Sequence, residues 1–315
     1  MSSAIHAVGV TKVYPHSHKG VPALAGLTLD VPTGGVYGLI GRNGAGKTTF
    51  IRIAATQLEP TGGSLEVLGE SVQGGERKIR ARIACVPQES RPLYFLRVEE
   101  VIYLYLKMRG LDPKDARART DAAIEELSLT EYRKRLVSRL SGGLRRRTLC
   151  AMVLASDADV MFLDEPTTGL DPIARREVWQ AIRRASREHR TIVLTTHYLD
   201  EAEQLSGRLA LIERGQLVLE GSPGDLRGRV RYPYRVTVQG AFTHSELESY
   251  GQVSDIEGGF LVFTREADAR ELARAALARG ARLSMGPVSL EDIFLDVIGK
   301  SIEEDGDSEA PERER

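Results

Sequence analysis

Short apolar runs separated by longer stretches of mixed polarity set the rhythm of the first two-thirds of the chain. Val36-Tyr37-Gly38-Leu39-Ile40, Ile83-Ala84-Cys85-Val86, Val160-Met161-Phe162-Leu163 and Thr191-Ile192-Val193-Leu194-Thr195 are four or five residues long, and the last two are nearly all apolar. Runs that lack polar alternation predict buried strands of a parallel sheet covered on both faces. The amphipathic stretches between them predict helices following Gly46, Arg97, Pro113, Ser141, Pro172 and Tyr198, with Asp112 as the N-cap at Pro113. The pattern therefore predicts one α/β domain over residues 1–225, with a helical subdomain at about 90–155.

Near Gly221-Ser222-Pro223-Gly224 the rhythm changes. Downstream the spacing predicts a strand over 234–239, a short helix near 245–250, strands near 253–257 and 260–264, a helix over 267–278 and a strand over 282–285. That order, β-α-β-β-α-β, predicts a small α+β domain of ferredoxin-like arrangement over 226–300. In the segment 288–297, Leu290, Ile293, Phe294 and Val297 share one helical face, which must bury against something. The acidic, polar residues 301–315 predict a disordered tail.

Composition narrows the partners. The 315 residues carry 43 Lys+Arg against 44 Asp+Glu, a formal charge of -1, which offers no basic face for nucleic acid. No apolar run approaches the roughly 20 residues that cross a bilayer, and Met1-Ser2-Ser3-Ala4-Ile5-His6 lacks the blocks of a signal peptide, so the chain is expected to be soluble by itself. Cys85 and Cys150 are far apart, without Cys-x-x-Cys spacing, and are expected to be small core residues in a reducing cytosol.

The chemistry concentrates in a few short motifs. Gly41-Arg42-Asn43-Gly44-Ala45-Gly46-Lys47-Thr48 follows a predicted strand and opens a predicted helix, the context of a phosphate-binding loop. Its glycines let backbone N–H groups face phosphate oxygens, and the helix N-terminus adds its positive end. Lys47 is expected to reach the β- and γ-phosphates and Thr48 to ligate Mg²⁺, with the Thr49 hydroxyl nearby. Asp164 and Glu165 end a strand, where ligands collect in open α/β sheets; Asp164 is placed to hold the metal and Glu165 to polarise an attacking water. His197 ends another apolar run and should emerge on the same rim, within reach of the γ-phosphate or the water. Tyr14, about one strand hairpin before the loop, offers a ring to stack on adenine. His16 and His18 beside it read as polar loop residues without a metal. Leu140-Ser141-Gly142-Gly143, at a helix start between the loop and the acidic pair, is rarer than either. The run that follows it, Arg145-Arg146-Arg147, reads as a solvated helix face.

In this order the motifs resemble the nucleotide-binding subunit of ABC transporters: an aromatic residue at Tyr14, Walker A at 41–48, a Q-loop at Gln88, a signature at 140–144, Walker B at 160–165, a D-loop at 169–171 and a switch histidine at His197. The resemblance implies a head-to-tail pair of such chains with ATP between Walker A of one and the signature of the other. Gly41, Arg42, Asn43, Gly44, Ala45, Gly46, Lys47, Thr48 and Thr49 would then meet the nucleotide from one copy, and Ser141, Gly142 and Gly143 from the other, with Asp171 of the D-loop also among the nucleotide-binding residues. It also makes Gln88 a member of the metal shell, and implies an integral membrane permease on a separate chain, with this chain on the cytoplasmic face of the membrane. Leu144 stands where the signature often has Gln or Met.

The C-terminal pattern, ending in Ser289-Leu290-Glu291-Asp292-Ile293-Phe294-Leu295, is similar to ATPase subunits of prokaryotic exporters of drugs, antibiotics, lipids or polysaccharides, with a regulatory or dimerising role for residues 226–300. Other readings are an importer subunit, a soluble ABC-type factor acting on ribosomes or DNA, and a different P-loop enzyme. Against a GTPase, no Asn-Lys-x-Asp motif occurs.

Overall fold

The computed structural model describes residues 3–15, 20–86, 95–187 and 190–294. It separates into two compact units, 1–220 and 221–315.

The first unit is built on a six-stranded sheet. In chain order its strands are β3 (Gly35–Ile40), β6 (Ile83–Val86), β7 (Val160–Asp164), β8 (Thr191–Thr196), β9 (Arg208–Glu213) and β10 (Gln216–Gly221), and across the sheet they run β10-β9-β3-β8-β7-β6. β3 pairs in parallel with both β8 and β9, β7 with β8, and β6 with β7. The near-continuous apolar runs of β3, β6, β7 and β8 have a direct cause, because each of these four strands serves two cores. Met161, Leu163, Ile192 and Leu194 join a cluster with the helical region, while Val160, Phe162, Val193, Tyr37 and Leu39 face a second cluster. Alternation is absent because neither face meets water.

The second cluster is closed by a separate antiparallel sheet, which the motif reading had not resolved from the α/β scaffold. Its strands, β1 (Ser3–Lys12), β2 (Leu24–Pro32), β4 (Gly62–Val67) and β5 (Glu70–Ser71), lie in the order β2-β1-β4-β5. Here one side does face solvent, and burial alternates: Leu27, Leu29 and Val31 are buried while Thr28 and Asp30 are exposed.

Helices start where the caps predict. α1 (Lys47–Ala54) follows Gly46; α3 (Val98–Met108) follows Arg97; α5 (Gly142–Leu154) follows Ser141; α6 (Pro172–Arg187) opens at Pro172; α7 (Leu199–Leu205) follows Tyr198. α4 (Pro113–Glu126) is capped by Asp112, whose carboxylate accepts from the N–H groups of Lys114 and Asp115. A short helix, α2 (Glu76–Arg82), leads into β6 without an expected start signal, since its N-cap is Gly75 with no side-chain bond.

The second unit has its own core. After α8 (Pro223–Gly228) come β11 (Tyr234–Gln239), α9 (His244–Leu247), β12 (Gly251–Ile256), β13 (Gly259–Thr264), α10 (Glu266–Ala278) and β14 (Arg282–Pro287). The antiparallel sheet order β12-β13-β11-β14 is that of a ferredoxin-like unit. Val236, Val238 and Val262 pack against Leu247, Ala269 and Leu272 of its helices. In the last described stretch Leu290 and Ile293 are buried, the Ser289 hydroxyl accepts from the Asp292 N–H at 3.2 Å, and Asp292 pairs with Arg235 at 3.1 Å. Val297 and residues 301–315 lie outside the described residues.

Candidate active site

The C-terminal ends of β3, β7 and β8 supply the loop 41–46, the pair Asp164-Glu165 and His197 respectively, so adjacent parallel strands deliver all three to one rim. The loop's shape depends on close backbone approach. A Cβ on Gly46 would stand 2.5 Å from the Ala23 carbonyl oxygen, and one on Gly41 would collide with the Ile212 carbonyl; Gly46 also has φ 107°. Gly46 caps α1 without a side chain, which leaves the first N–H groups of the helix directed into the loop.

Lys47 is buried, and its ammonium donates to the carbonyls of Gly41 at 2.7 Å and Arg42 at 3.0 Å. Burial lowers its pKa from the ordinary lysine value, while the nearby carboxylates of Glu165, Asp164 and Glu213 oppose that shift. The Thr48 hydroxyl lies 3.3 Å from Asp164 Oδ1. The Thr49 hydroxyl is engaged elsewhere, 3.3 Å from Tyr14 Oη. That contact sets the Tyr14 ring beside the start of α1, with Lys12 Nζ 5.7 Å from its centroid.

Glu165 is the conformational singularity of the site. It has φ 50°, a left-handed geometry that costs a residue with a Cβ about 1–2 kcal/mol, and it is 7% exposed. Several bonds hold it there. Its N–H donates to the Thr195 carbonyl at 3.1 Å and to Thr195 Oγ1 at 3.0 Å. Thr195 Oγ1 in turn donates to Asp164 Oδ1. The Glu165 carboxylate accepts from Thr168 Oγ1 at 3.1 Å and lies 3.3 Å from His197 Nδ1. Just beyond, the Thr167 hydroxyl donates to Glu201 Oε1 at 2.8 Å, and Trp179 Nε1 donates to the same oxygen at 2.7 Å, with Glu201 wholly buried. His197 packs on Tyr198, ring centroids 4.1 Å apart, and the Arg175 guanidinium lies 4.5 Å from the Tyr198 ring centroid.

The signature turn forms a second group. Ser141 and Gly142 are exposed, and Ser141 Oγ accepts from the Leu144 N–H at 3.3 Å as the N-cap of α5. Gly143 sits close to Leu170, with 3.2 Å between its would-be Cβ and Leu170 Cδ2. Asp171 caps α6, accepting from the N–H groups of Ile173 at 3.0 Å and Ala174 at 2.9 Å. Thus the structure gathers Lys47, Thr48, Asp164, Glu165 and His197, whereas Ser141 and Gly142 open outward. Gln88, His16 and His18 lie outside the described residues.

The arginine run corrects the expectation of a solvated face. Arg146 is buried, with Nη2 donating to the main-chain carbonyls of Asp164 and, at 2.6 Å, Glu165; Arg147 pairs with Glu177 at 2.8 Å. The signal was in the sequence: Arg146, Leu149, Cys150 and Val153 have i, i+3, i+4, i+7 spacing, which places Arg146 on the apolar face of α5. Thr195, Thr168 and Glu201 carried no comparable mark.

With this geometry in view, residues 24–168 match the ABC transporter family. The daunorubicin/doxorubicin resistance ATP-binding protein DrrA of Streptomyces peucetius is 35% identical over 99% of this chain and 97% of its own length. The chain belongs to the ABC transporter family of ATP-binding proteins. The Nod factor export ATP-binding protein I of Burkholderia orbicola (strain AU 1054) is likewise 35% identical, over 89% of this chain and 93% of its own. A solved ATP-binding subunit of an ABC transporter shares the fold with a TM-score of 0.66, covering 72% of this chain and 93% of its own at 23% identity. Among the described residues of this family member, no helix is long and apolar enough to cross a membrane.

Proposed function

We propose that this chain is the ATP-hydrolysing subunit of an ABC exporter, energising a separate membrane-spanning partner through ATP-driven closure of two copies. The observation that carries the reading is Glu165: a buried carboxylate in a left-handed turn, 3.3 Å from His197 and one residue from the aspartate that Thr48 contacts. In the mechanism, the loop 41–46 and the N-terminus of α1 receive the phosphates, and Lys47 adds its charge at the β- and γ-oxygens. Glu165 orients and takes a proton from the attacking water, while the imidazole of His197 faces the γ-phosphate and steadies the carboxylate. Charge that develops on the transferring phosphoryl group meets preorganised donors, so little rearrangement is needed at the moment of reaction.

The donors fit magnesium. Thr48 Oγ1 and Asp164 Oδ1 are hard oxygens 3.3 Å apart, near the ~2.9 Å that separates neighbouring ligands of an octahedral Mg²⁺. Among the described residues no group of three His, Cys, Asp or Glu side chains could hold a metal alone, which suits an ion that takes its other ligands from phosphate and water. When bound, the ion neutralises phosphate charge.

Ser141, Gly142 and the N-terminus of α5 open outward, and this supports a role in trans, on nucleotide held by a second copy. The names of the two relatives, which refer to drug resistance and Nod factor export, support the export direction. A membrane-spanning partner on another chain is part of this reading, and the match to a transporter family, with no spanning helix among the described residues, supports it. In this reading the chain works at the cytoplasmic face of the membrane, held by that partner.

Glu165→Gln tests the reading. The variant should still bind ATP and accumulate as an ATP-bound pair in size-exclusion chromatography, with turnover reduced about 10²–10⁴-fold. Unchanged turnover removes Glu165 from the mechanism. For the contribution in trans, Ser141→Arg should abolish turnover while a fluorescent ATP analogue still binds; full activity in that variant defeats the paired arrangement.

A further inference from the structure

One charged group in the core grips the backbone of the site. Arg146 stands on α5, five residues beyond the cap at Ser141, and its guanidinium nitrogen Nη2 donates to the carbonyls of both Asp164 and Glu165. An apolar residue there would simply continue the stripe of Leu149, Cys150 and Val153 that packs into the helical-side core. A guanidinium at that position bears a desolvation penalty instead, which calls for a compensating role.

We propose that Arg146 is a positioning residue for hydrolysis: by gripping the Asp164 and Glu165 carbonyls it fixes the left-handed turn that aims the Glu165 carboxylate, and ties that turn to the helix headed by Ser141. The proposal rests on the hydrolytic reading of Glu165 given above. The two peptide planes on either side of Glu165 are both held. On one side, the Glu165 N–H is held by Thr195. On the other, the Glu165 carbonyl is held by Arg146 at 2.6 Å. With the peptides fixed, the Cα–Cβ vector of Glu165 is fixed too, and its carboxylate falls between Thr168 Oγ1 and His197 Nδ1. Without the clamp, two carbonyl dipoles lose their shared cation and the turn can relax toward ordinary right-handed or extended geometry. One helix then carries both a group that reaches outward, Ser141, and a group that sets the chain's own catalytic carboxylate.

The same device occurs away from the site and supplies a control. Arg80 donates to the carbonyl of Thr56 at 2.9 Å and to its hydroxyl at 2.8 Å, and Thr56 also has a positive φ, 57°. Thr56 lies two residues past the C-terminal end of α1, and that end stands about 10 Å along the helix from Lys47 by its 1.5 Å rise.

The experiment compares Arg146→Met, Arg146→Lys and Arg80→Met in the full chain, measuring Mg-ATP turnover, fluorescent ATP-analogue affinity and melting temperature. Arg146→Met should lower kcat roughly 10- to 100-fold, the scale of a misplaced catalytic group, with nucleotide affinity within about twofold of the parent. Arg146→Lys, which keeps the charge but not the fork, should recover part of that loss. Arg80→Met should lower the melting temperature and leave kcat in place. In a Glu165→Gln background, adding Arg146→Met should cost nothing further, because the arginine acts through the carboxylate. Should Arg146→Met fail to fold, Arg146→Lys with reduced kcat at unchanged affinity sustains the proposal.

The proposal is overturned if Arg146 variants keep parental kcat, if affinity and kcat fall together, or if Arg80→Met slows turnover equally at equal loss of melting temperature. A parent that hydrolyses ATP and loses activity on Glu165→Gln, beside fully active Arg146 variants, rejects the arginine's role and keeps the hydrolytic reading. A parent without ATPase activity removes both.

Discussion

Burial decides the behaviour of single residues here more than residue type does. Cys85 and Cys150 are both pushed up to about 12 by desolvation of their thiolates, so neither is nucleophilic near neutral pH. A disulfide-exchange reagent at pH 8 should leave both thiols unmodified in the native chain and titrate two after denaturation; rapid native labelling would contradict their placement. Asp171 shows the opposite control. Chiefly the Ala174 N–H, with help from the Ile173 N–H and Arg147, holds its carboxyl below the ordinary 3.8, since each favours the ionised form. A depressed folded pKa means that its capping contribution is complete above the unfolded value and is lost as pH falls through the lower folded value. Between pH 5 and 8 the Asp171 carboxylate signal should therefore not move in NMR, and its midpoint should lie below that of an unstructured aspartate. Arg146 belongs at this scale too: its spacing marked the apolar face, but only the neighbouring strand end shows what a buried guanidinium meets.

At the scale of elements, the site is assembled by ties between segments distant in sequence. Glu201 on α7 binds Thr167, behind Glu165, and Trp179 on α6, so one buried carboxylate joins the turn after β7 to two helices. Trp179→Phe removes one donor while keeping the aromatic bulk, leaving that carboxylate less satisfied. A loss of about 1–3 kcal/mol in unfolding free energy is expected, measured as a lower urea midpoint at unchanged slope. The starts of α4, α5 and α6 were legible because their signals are local: Asp112 and Ser141 accept from N–H groups within three residues, and Pro172 brings a preset φ with no N–H to satisfy. The antiparallel sheet was less legible, because its strands are paired by register across tens of residues, as in Ile5 with Val67 and Val31. No local pattern states which partner a half-buried strand will choose.

The whole molecule divides at 220/221 into units with separate apolar cores. A fragment ending at Glu220 retains every described residue of the candidate site, so it should fold cooperatively and bind an ATP analogue with affinity close to the full chain's; an unfolded fragment by circular dichroism would show that the second unit is required. Sequence alone determined what is written in contiguous chemistry: the glycine loop with Lys47 and Thr48, the acidic pair after an apolar strand, the Ser141 cap, and the alternation of elements in each unit. These are legible because phosphate cradling, helix capping and strand burial act over a few neighbouring residues. Tertiary structure alone decided that Thr195 and Arg146 hold Glu165 in a left-handed turn, and that His197 meets its carboxylate. Those bonds join β7 to β8 and α5 across 18 to 32 positions of chain, and such pairings come into existence only when the parallel sheet brings strand ends side by side.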